Sequence, residues 1–178
     1  FNNDVDFSFK DLYFALNNRV RTGIFTIDPG LTLHFYDNNN IQLGQTFAKD
    51  ISDIRPNLRV NMQFKKNENL RFTYRKNTQF TDVNNISEGY VFNNYNSIFR
   101  GNRELEAAIV NSYNLNYRSI NQFTFTNVYS NISYSKRENS IQSRAAIDGI
   151  NSVRTADNSI FPRETYSARA TFYLIWPW

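Results

Sequence analysis

Apolar and polar residues alternate with period two along much of the chain. From position 57 to 65, Leu58, Val60, Met62 and Phe64 fall on one parity, and Asn57, Arg59, Asn61, Gln63 and Lys65 on the other. Successive side chains of an extended strand point to opposite faces, so this pattern predicts a two-faced strand. After Lys66-Asn67-Glu68-Asn69 the alternation resumes, with Leu70, Phe72 and Tyr74 against Arg71, Thr73 and Arg75. Two such strands joined by a tight polar turn predict a hairpin.

The same rhythm recurs on either side. Leu12, Phe14 and Leu16 alternate with Tyr13, Ala15 and Asn17 before Arg21-Thr22-Gly23 turns the chain into Phe25, Ile27, Leu31, Leu33 and Phe35. Pro29 lies inside that run and has no N–H, so a bulge or a locally unpaired position is predicted there. Tyr113, Leu115 and Tyr117 alternate with Asn114, Asn116 and Arg118, and Ser119-Ile120-Asn121 is read as a turn into Phe123 and Phe125. Val128, Ile132 and Tyr134 then sit on the other parity, which predicts a bulge near Asn127. A last strand sets Tyr166, Ala168, Ala170, Phe172 and Leu174 against Ser167, Arg169, Thr171 and Tyr173, with its expected partner in 152–159, reached through Phe161-Pro162-Arg163.

The connections alternate in length. Short turns at 21–23, 66–69, 119–121 and 161–163 are interleaved with long polar segments at 37–53, 79–104 and 138–151. Tight turns at one end of a sheet and long loops at the other are the asymmetry of outer-membrane barrels. About eight strands are predicted, a number that can close a small barrel.

Alternation alone also suits a soluble sandwich or a lipocalin-like barrel whose apolar face turns inward. Four features favour the membrane: aromatic residues at predicted strand ends (Tyr36, Phe64, Tyr74, Tyr117, Phe123), loops sorted by side, an Asn- and Arg-rich polar face, and long Asn-rich loops. The mean hydropathy of −0.58 does not oppose this, because a barrel strand needs apolar residues only at every second position. No apolar run approaches the roughly 18 to 20 residues of a membrane helix, the longest being 12–16 and 172–176. The predicted class is therefore all-β, an antiparallel up-and-down transmembrane β-barrel segment of about eight strands in the cell outer membrane.

Charge and candidate chemistry narrow the function. The net charge of +4 comes from Lys and Arg spread along the chain without a basic run, so nucleic acid is not an expected partner. Charge on the lipid face at mid-depth costs roughly 2–4 kcal/mol per residue, so the polar parity is expected to face a lumen. That assigns Asn57, Arg59, Asn61, Gln63, Arg71, Thr73, Arg75, Asn114, Asn116, Arg118 and Arg169 to the lumen. Cys is absent and His34 is the single His, so no thiolate site, typical zinc site or cofactor is expected. Asp28 shares the parity of His34 but lies six positions away, roughly 20 Å along a strand. The pair therefore makes no triad, and catalysis is not expected. Glu104 and Glu106 are read as a solvated face rather than a calcium site.

A family resemblance rests on residues in the middle of the chain. Arg55-Pro56-Asn57-Leu58 opens a strand, Asn69-Leu70-Arg71-Phe72-Thr73-Tyr74-Arg75 forms the next, and a long loop reaches Gly101-Asn102-Arg103-Glu104-Leu105. In this order the segment resembles the barrel of TonB-dependent outer-membrane receptors, in particular the Bacteroidetes-type outer membrane β-barrel family. Gly101, Asn102 and Leu105 look like that family's Gly-Asn-Pro-x-Leu before a returning strand, with Arg103 in place of Pro. The loop after Thr78 also lacks a Pro often found there.

The resemblance implies nutrient uptake of a metal chelate, oligosaccharide or peptide by a larger barrel, with 1–178 forming a partial barrel that contains no plug domain. It implies outer-membrane lipid, further strands, a plug domain and a TonB-type energy-coupling protein, contacted through an N-terminal region absent here, as partners. The start at Phe1, without Met or signal peptide, fits a chain that begins in mid-protein or after processing. Ala170, Phe172, Leu174, Trp176 and Trp178 resemble an aromatic-terminated last strand, although Pro177 interrupts it. The alternatives are a complete small eight-stranded structural or adhesive outer-membrane barrel, and a barrel enzyme.

Overall fold

The computed structural model describes residues 5–42, 44–148 and 151–174. The aromatic terminal pattern at Trp176 and Trp178 lies outside the described residues. In chain order the strands are β1 (Val5–Asn17), β2 (Val20–Thr22), β3 (Phe25–Gln42), β4 (Gln45–Lys65) and β5 (Glu68–Gln79). A one-turn helix α1 (Val83–Ile86) follows, then β6 (Tyr90–Asn94), β7 (Ser97–Arg100), β8 (Ala108–Asn121), β9 (Thr126–Glu138), β10 (Ile141–Asp148), β11 (Asn151–Asn158) and β12 (Arg163–Leu174).

The long strands form one antiparallel sheet in the order β1-β3-β4-β5-β8-β9-β12, with β2 also on β3. Neighbours in the sheet are neighbours along the chain once the two long insertions are set aside, which is the up-and-down topology expected from the alternation. Among the described residues β1 and β12 do not pair with each other, and the sheet is open.

Pro29 explains the break between β1 and β2. Asn17 pairs with Gly30 and Val20 with Ile27 in one continuous register, while Asn18 and Arg19 leave the ladder opposite Pro29. The chain is rejoined by the Asn18 N–H donating to the Pro29 carbonyl at 3.0 Å. Pro29 still pairs in register with Leu58 on β4, so the missing N–H produces the locally unpaired position rather than a bulge. A bulge does occur where Gln63 pairs with Asn69 but Lys65 with Glu68.

Four sequence expectations are corrected. The segment 37–53 is not a loop: β3 and β4 continue through it, paired from Gln42 opposite Gln45 down to Phe25 opposite Met62. Asn and Asp along that stretch suggested a loop because strands disfavour them, but an interstrand ladder and side-chain bonds offset the preference. The turn after β8 is at 122–125, not 119–121. Phe125 sits there at φ 50°, and the Asn121 side chain accepts from the Phe123 and Thr124 N–H groups. With the turn moved, Val128, Ile132 and Tyr134 keep one phase through an unbroken β8–β9 register, and no bulge occurs near Asn127.

The partner of the last strand is β9, with Arg163 opposite Arg137, and not the 152–159 segment. That segment is β11, which pairs antiparallel with β10 and parallel with β7. Residues 161–163 therefore lie at the end that carries the long loops. The remaining sorting stands: short turns at 23–24, 66–67 and 122–125 share one end, here the turn end. The β3–β4 tip and the insertions between β5 and β8 and between β9 and β12 share the other, the loop end.

Candidate functional site: a two-faced wall under a folded cap

Register places all eleven polar candidates on one face. Asn57 lies opposite Arg75, Arg59 opposite Thr73 and Asn61 opposite Arg71. Thr73 and Arg71 continue to Asn114 and Asn116 on β8, and the latter through Asn131 to Arg169 on β12. Gln63 pairs with Asn69, which pairs with Arg118.

Side chains connect these rows. Asn131 donates to Asn114 Oδ1 at 3.0 Å and to Asn116 Oδ1 at 2.7 Å, and the Arg118 guanidinium lies 5.9 Å from the Tyr129 ring centre. Arg19 Nε donates to Asp28 Oδ1 at 2.6 Å. Asn131 and Asp28 belong to the face although the expected lumenal set omits them. Asn131 lies on the parity opposite Val128, Ile132 and Tyr134, and the β8–β9 register sets it against Asn116.

The opposite face is apolar and carries a row of aromatic rings. Tyr74, Tyr113, Tyr134 and Tyr166 stand opposite one another on β5, β8, β9 and β12, with ring centres 4.8, 5.7 and 4.8 Å apart. The next row toward the turn end is Val60, Phe72, Leu115, Ile132 and Ala168. On β1 the same face shows Leu12, Phe14 and Leu16, exposed by 60, 60 and 73 %. No layer of the described chain covers this surface, so its solvent is not water alone. Tyr36, expected among the aromatic ends, is instead on the polar side and 4 % exposed. Tyr74 and Tyr117 are on the apolar face, while Phe123 is 96 % exposed in its turn.

Toward the loop end the polar face becomes a packed cluster. Tyr36 stacks on His34 with centres 5.3 Å apart, and meets Phe9 at 5.3 Å and Phe80 at 4.6 Å. The His34 partner is Asp11, 3.0 Å from Nδ1, rather than Asp28. Arg55 donates to Asp53 at 2.7 Å and to the Tyr36 hydroxyl at 2.5 Å, and Lys76 reaches Asp53 at 3.3 Å. These bonds span a place where backbone pairing stops. The β4–β5 ladder runs no further than Asn57 and Arg75, while both strands continue past it.

A cap sits over this cluster. Gln42, 1 % exposed, donates to the Ile86 carbonyl at 3.3 Å and accepts from the Glu88 N–H at 2.8 Å, which ties α1 to β3. Gly101 donates to the Ser87 carbonyl at 2.8 Å and Asn102 to the Asn85 carbonyl at 2.7 Å. A Cβ at Gly101 would meet the Asn85 carbonyl oxygen at 2.6 Å, so only glycine permits this approach. Leu105 packs with Ile86 and Ala156, bringing together the two insertions. Arg103 lies over the Phe47 ring at 3.6 Å and pairs with Glu88. The motif residues Gly101, Asn102 and Leu105 thus organise the cap. A cavity of about 370 Å³ between cap and wall is lined in part by Phe7, Phe9, Phe80, Lys49 and Arg103. Among the described residues no three His, Asp or Glu side chains are grouped to hold a metal. Glu106 instead accepts from Asn139 at 2.9 Å.

Comparison with known proteins gives the arrangement its relatives. Residues 11–171 match the model of the outer membrane protein beta-barrel family. No curated protein matches. The fold resembles the FrpB iron transporter of Neisseria meningitidis (F3-3 variant) at TM-score 0.66 and 12% identity, over 98% of this chain and 25% of that one. It resembles the siderophore receptor PirA of Pseudomonas aeruginosa at TM-score 0.60 and 8% identity, over 93% and 39%. The alcaligin outer membrane receptor FauA of Bordetella pertussis is similar at TM-score 0.55 and 13% identity, over 96% and 31%. The chain spans between a quarter and two fifths of the lengths of these three.

Proposed function

The chain belongs to the outer membrane protein beta-barrel family and to the cell outer membrane, and on that premise we propose that it is a length of barrel wall in a TonB-dependent receptor that takes up a nutrient. The carrying observation is a sheet whose one face is apolar up to its Tyr row while the other carries the eleven polar residues, under a loop-end cap. In this reading the apolar face meets lipid, the eleven polar residues line a lumen, and the loop end is extracellular. The two unpaired edges at β1 and β12 support a part of a larger barrel, 1–178 being wall without plug, over a complete eight-stranded one. Further strands would join those edges, and a plug domain and a TonB-type coupling protein belong to the whole receptor rather than to these residues.

Among nutrients, a metal chelate is favoured over an oligosaccharide or a peptide. The three similar structures bear titles naming iron, siderophore or alcaligin, and Arg59, Arg71 and Arg75 around one hollow of the polar face suit an anionic solute. The work is binding and passage, with no catalytic step assigned.

The test is growth of a strain lacking the gene on ferric chelates, oligosaccharides and peptides as limiting sources. The expected result is a defect on a chelate, restored by the gene only while the energy-coupling protein is present. Uptake that is indifferent to that protein would contradict the reading.

A further inference from the structure

Three arginines surround one hollow of the polar face. Arg71 and Arg75 flank Thr73 on β5, their Cα atoms about 13 Å apart along the strand. Arg59 stands directly opposite Thr73 on β4, and Asn114 directly opposite it on β8. These side chains line a hollow of about 350 Å³ whose lining contains no Asp or Glu. The acid opposite Arg59 in register is Asp28, and Arg19 already holds both of its oxygens, at 2.6 and 3.2 Å. Among the described residues none of the three arginines forms an ion pair.

The floor of the hollow adds donors rather than acceptors. Asn114 Oδ1 accepts from Asn131 at 3.0 Å and also from the Asn116 amide, and Asn131 donates to Asn116 Oδ1 at 2.7 Å. With those amide oxygens engaged, Asn114 still offers its NH2 group, beside the Thr73 hydroxyl and three guanidinium groups. The other recesses of this face differ. One contains Asp28, and in another the Arg118 guanidinium lies 5.9 Å from the Tyr129 ring centre. Three like charges facing a shared space with no acid repel one another, and a bound anion offsets that repulsion.

We infer that this hollow is a binding site for a compact multivalent oxyanion, a polycarboxylate or a phosphate, seated between Arg59, Arg71 and Arg75 over Thr73 and Asn114. The inference rests on the receptor reading above, which turns this face to the lumen, and adds where on the wall the charged part of a solute is held and by which groups. The planar fork of Arg pairs bidentately with carboxylate and phosphate oxygens alike. An anion with one charge would leave the cations largely uncompensated, so two charges or more are required. All three arginines are exposed, so the site is open and its occupant is free to leave along the wall.

Equilibrium dialysis of the full gene product in detergent, with labelled citrate and labelled inorganic phosphate as probes, tests it. Saturable binding of at least one probe is expected; citrate alone names a polycarboxylate, phosphate alone a phosphate. Arg59→Gln, Arg71→Gln and Arg75→Gln should each weaken it at least about tenfold, the loss of one charge-assisted pair. Arg169→Gln is the control. It lies three strand steps, about 14 Å, from Arg71, beyond the Debye length at about 0.15 M salt, and should change binding less than about twofold. Should a variant fail to assemble, phenylglyoxal mapping of the wild type reads the same site: the bound probe should slow modification of Arg59, Arg71 and Arg75 severalfold and leave Arg169 unaffected. An equal loss in Arg169→Gln, or equal protection of Arg169, means a diffuse field and overturns the inference. No saturable binding of either probe overturns it too, and the receptor reading stands if chelate uptake still requires the energy-coupling protein. Binding as expected in a protein whose uptake ignores that coupling protein removes the receptor reading and keeps the anion site.

Discussion

On the turn-end side of the pairing between Asn57 and Arg75, the wall is one continuous ladder from β3 to β12 and its side chains sort by parity alone. On the loop-end side β4 leaves β5, and the structure is held by single residues: Gln42 on α1, the Gly101 backbone under it, and Arg55 and Lys76 on Asp53. The ladder distributes its stability over many backbone bonds, so loss of one side chain is local. The cap depends on a few buried contacts, each of which decides the position of a whole insertion. A wall can therefore be robust while its cap is responsive.

The largest effect separating the two regions comes from placing charge on the apolar face of the wall. Leu115→Arg should destabilise the barrel by about 2–4 kcal/mol, while Asn114→Arg next to it should change stability by less than about 1 kcal/mol. Urea unfolding in phospholipid vesicles measures both, and equal effects would erase the distinction between the faces.

Gly101→Ala comes next, because its methyl group meets the Asn85 and Ser87 carbonyls. The expected cost is about 1–3 kcal/mol confined to the cap, read as faster hydrogen exchange across 80–107 with barrel unfolding unchanged. A matching loss in the wall would show that cap and wall are one cooperative unit.

Gln42→Leu removes the bonds to Ile86 and Glu88 and leaves the Glu88 N–H unpaired, at a cost of about 1–3 kcal/mol in the same local measurement. Tyr113→Leu, in the middle of the Tyr row, should cost about 0.5–1.5 kcal/mol in barrel stability and leave exchange in the cap untouched.

The same division explains how much was legible in sequence. The wall is readable because period two leaves each residue one choice of face, and the eleven polar candidates follow from it without knowledge of partners. Errors arose where a turn had to be placed. Reading the turn three residues early at 119–121 manufactures a phase slip at Asn127 that the β8–β9 register does not contain. The cap was not readable, since the parallel pairing of β7 with β11 joins segments more than fifty residues apart and has no local signature. Asn38 to Asn40 argue for a loop by propensity, and only the ladder with 47–49 of β4 overrides it. Gly101 was singled out by family likeness, but its physical role, an approach to two carbonyls of α1, required coordinates of both. Lys76 pairs with Asp53 across a gap that no alternation pattern encodes.

The central claim is that one face of this wall meets lipid and the other water. The chain has no Cys, so single Cys variants at 113 to 117 of β8 can each carry a fluorescent label in the full gene product reconstituted in vesicles. Quenching by brominated lipid should be strong at 113, 115 and 117 and weak at 114 and 116, with aqueous iodide giving the reverse. Quenching that does not alternate, or that alternates in the opposite phase, would contradict the account.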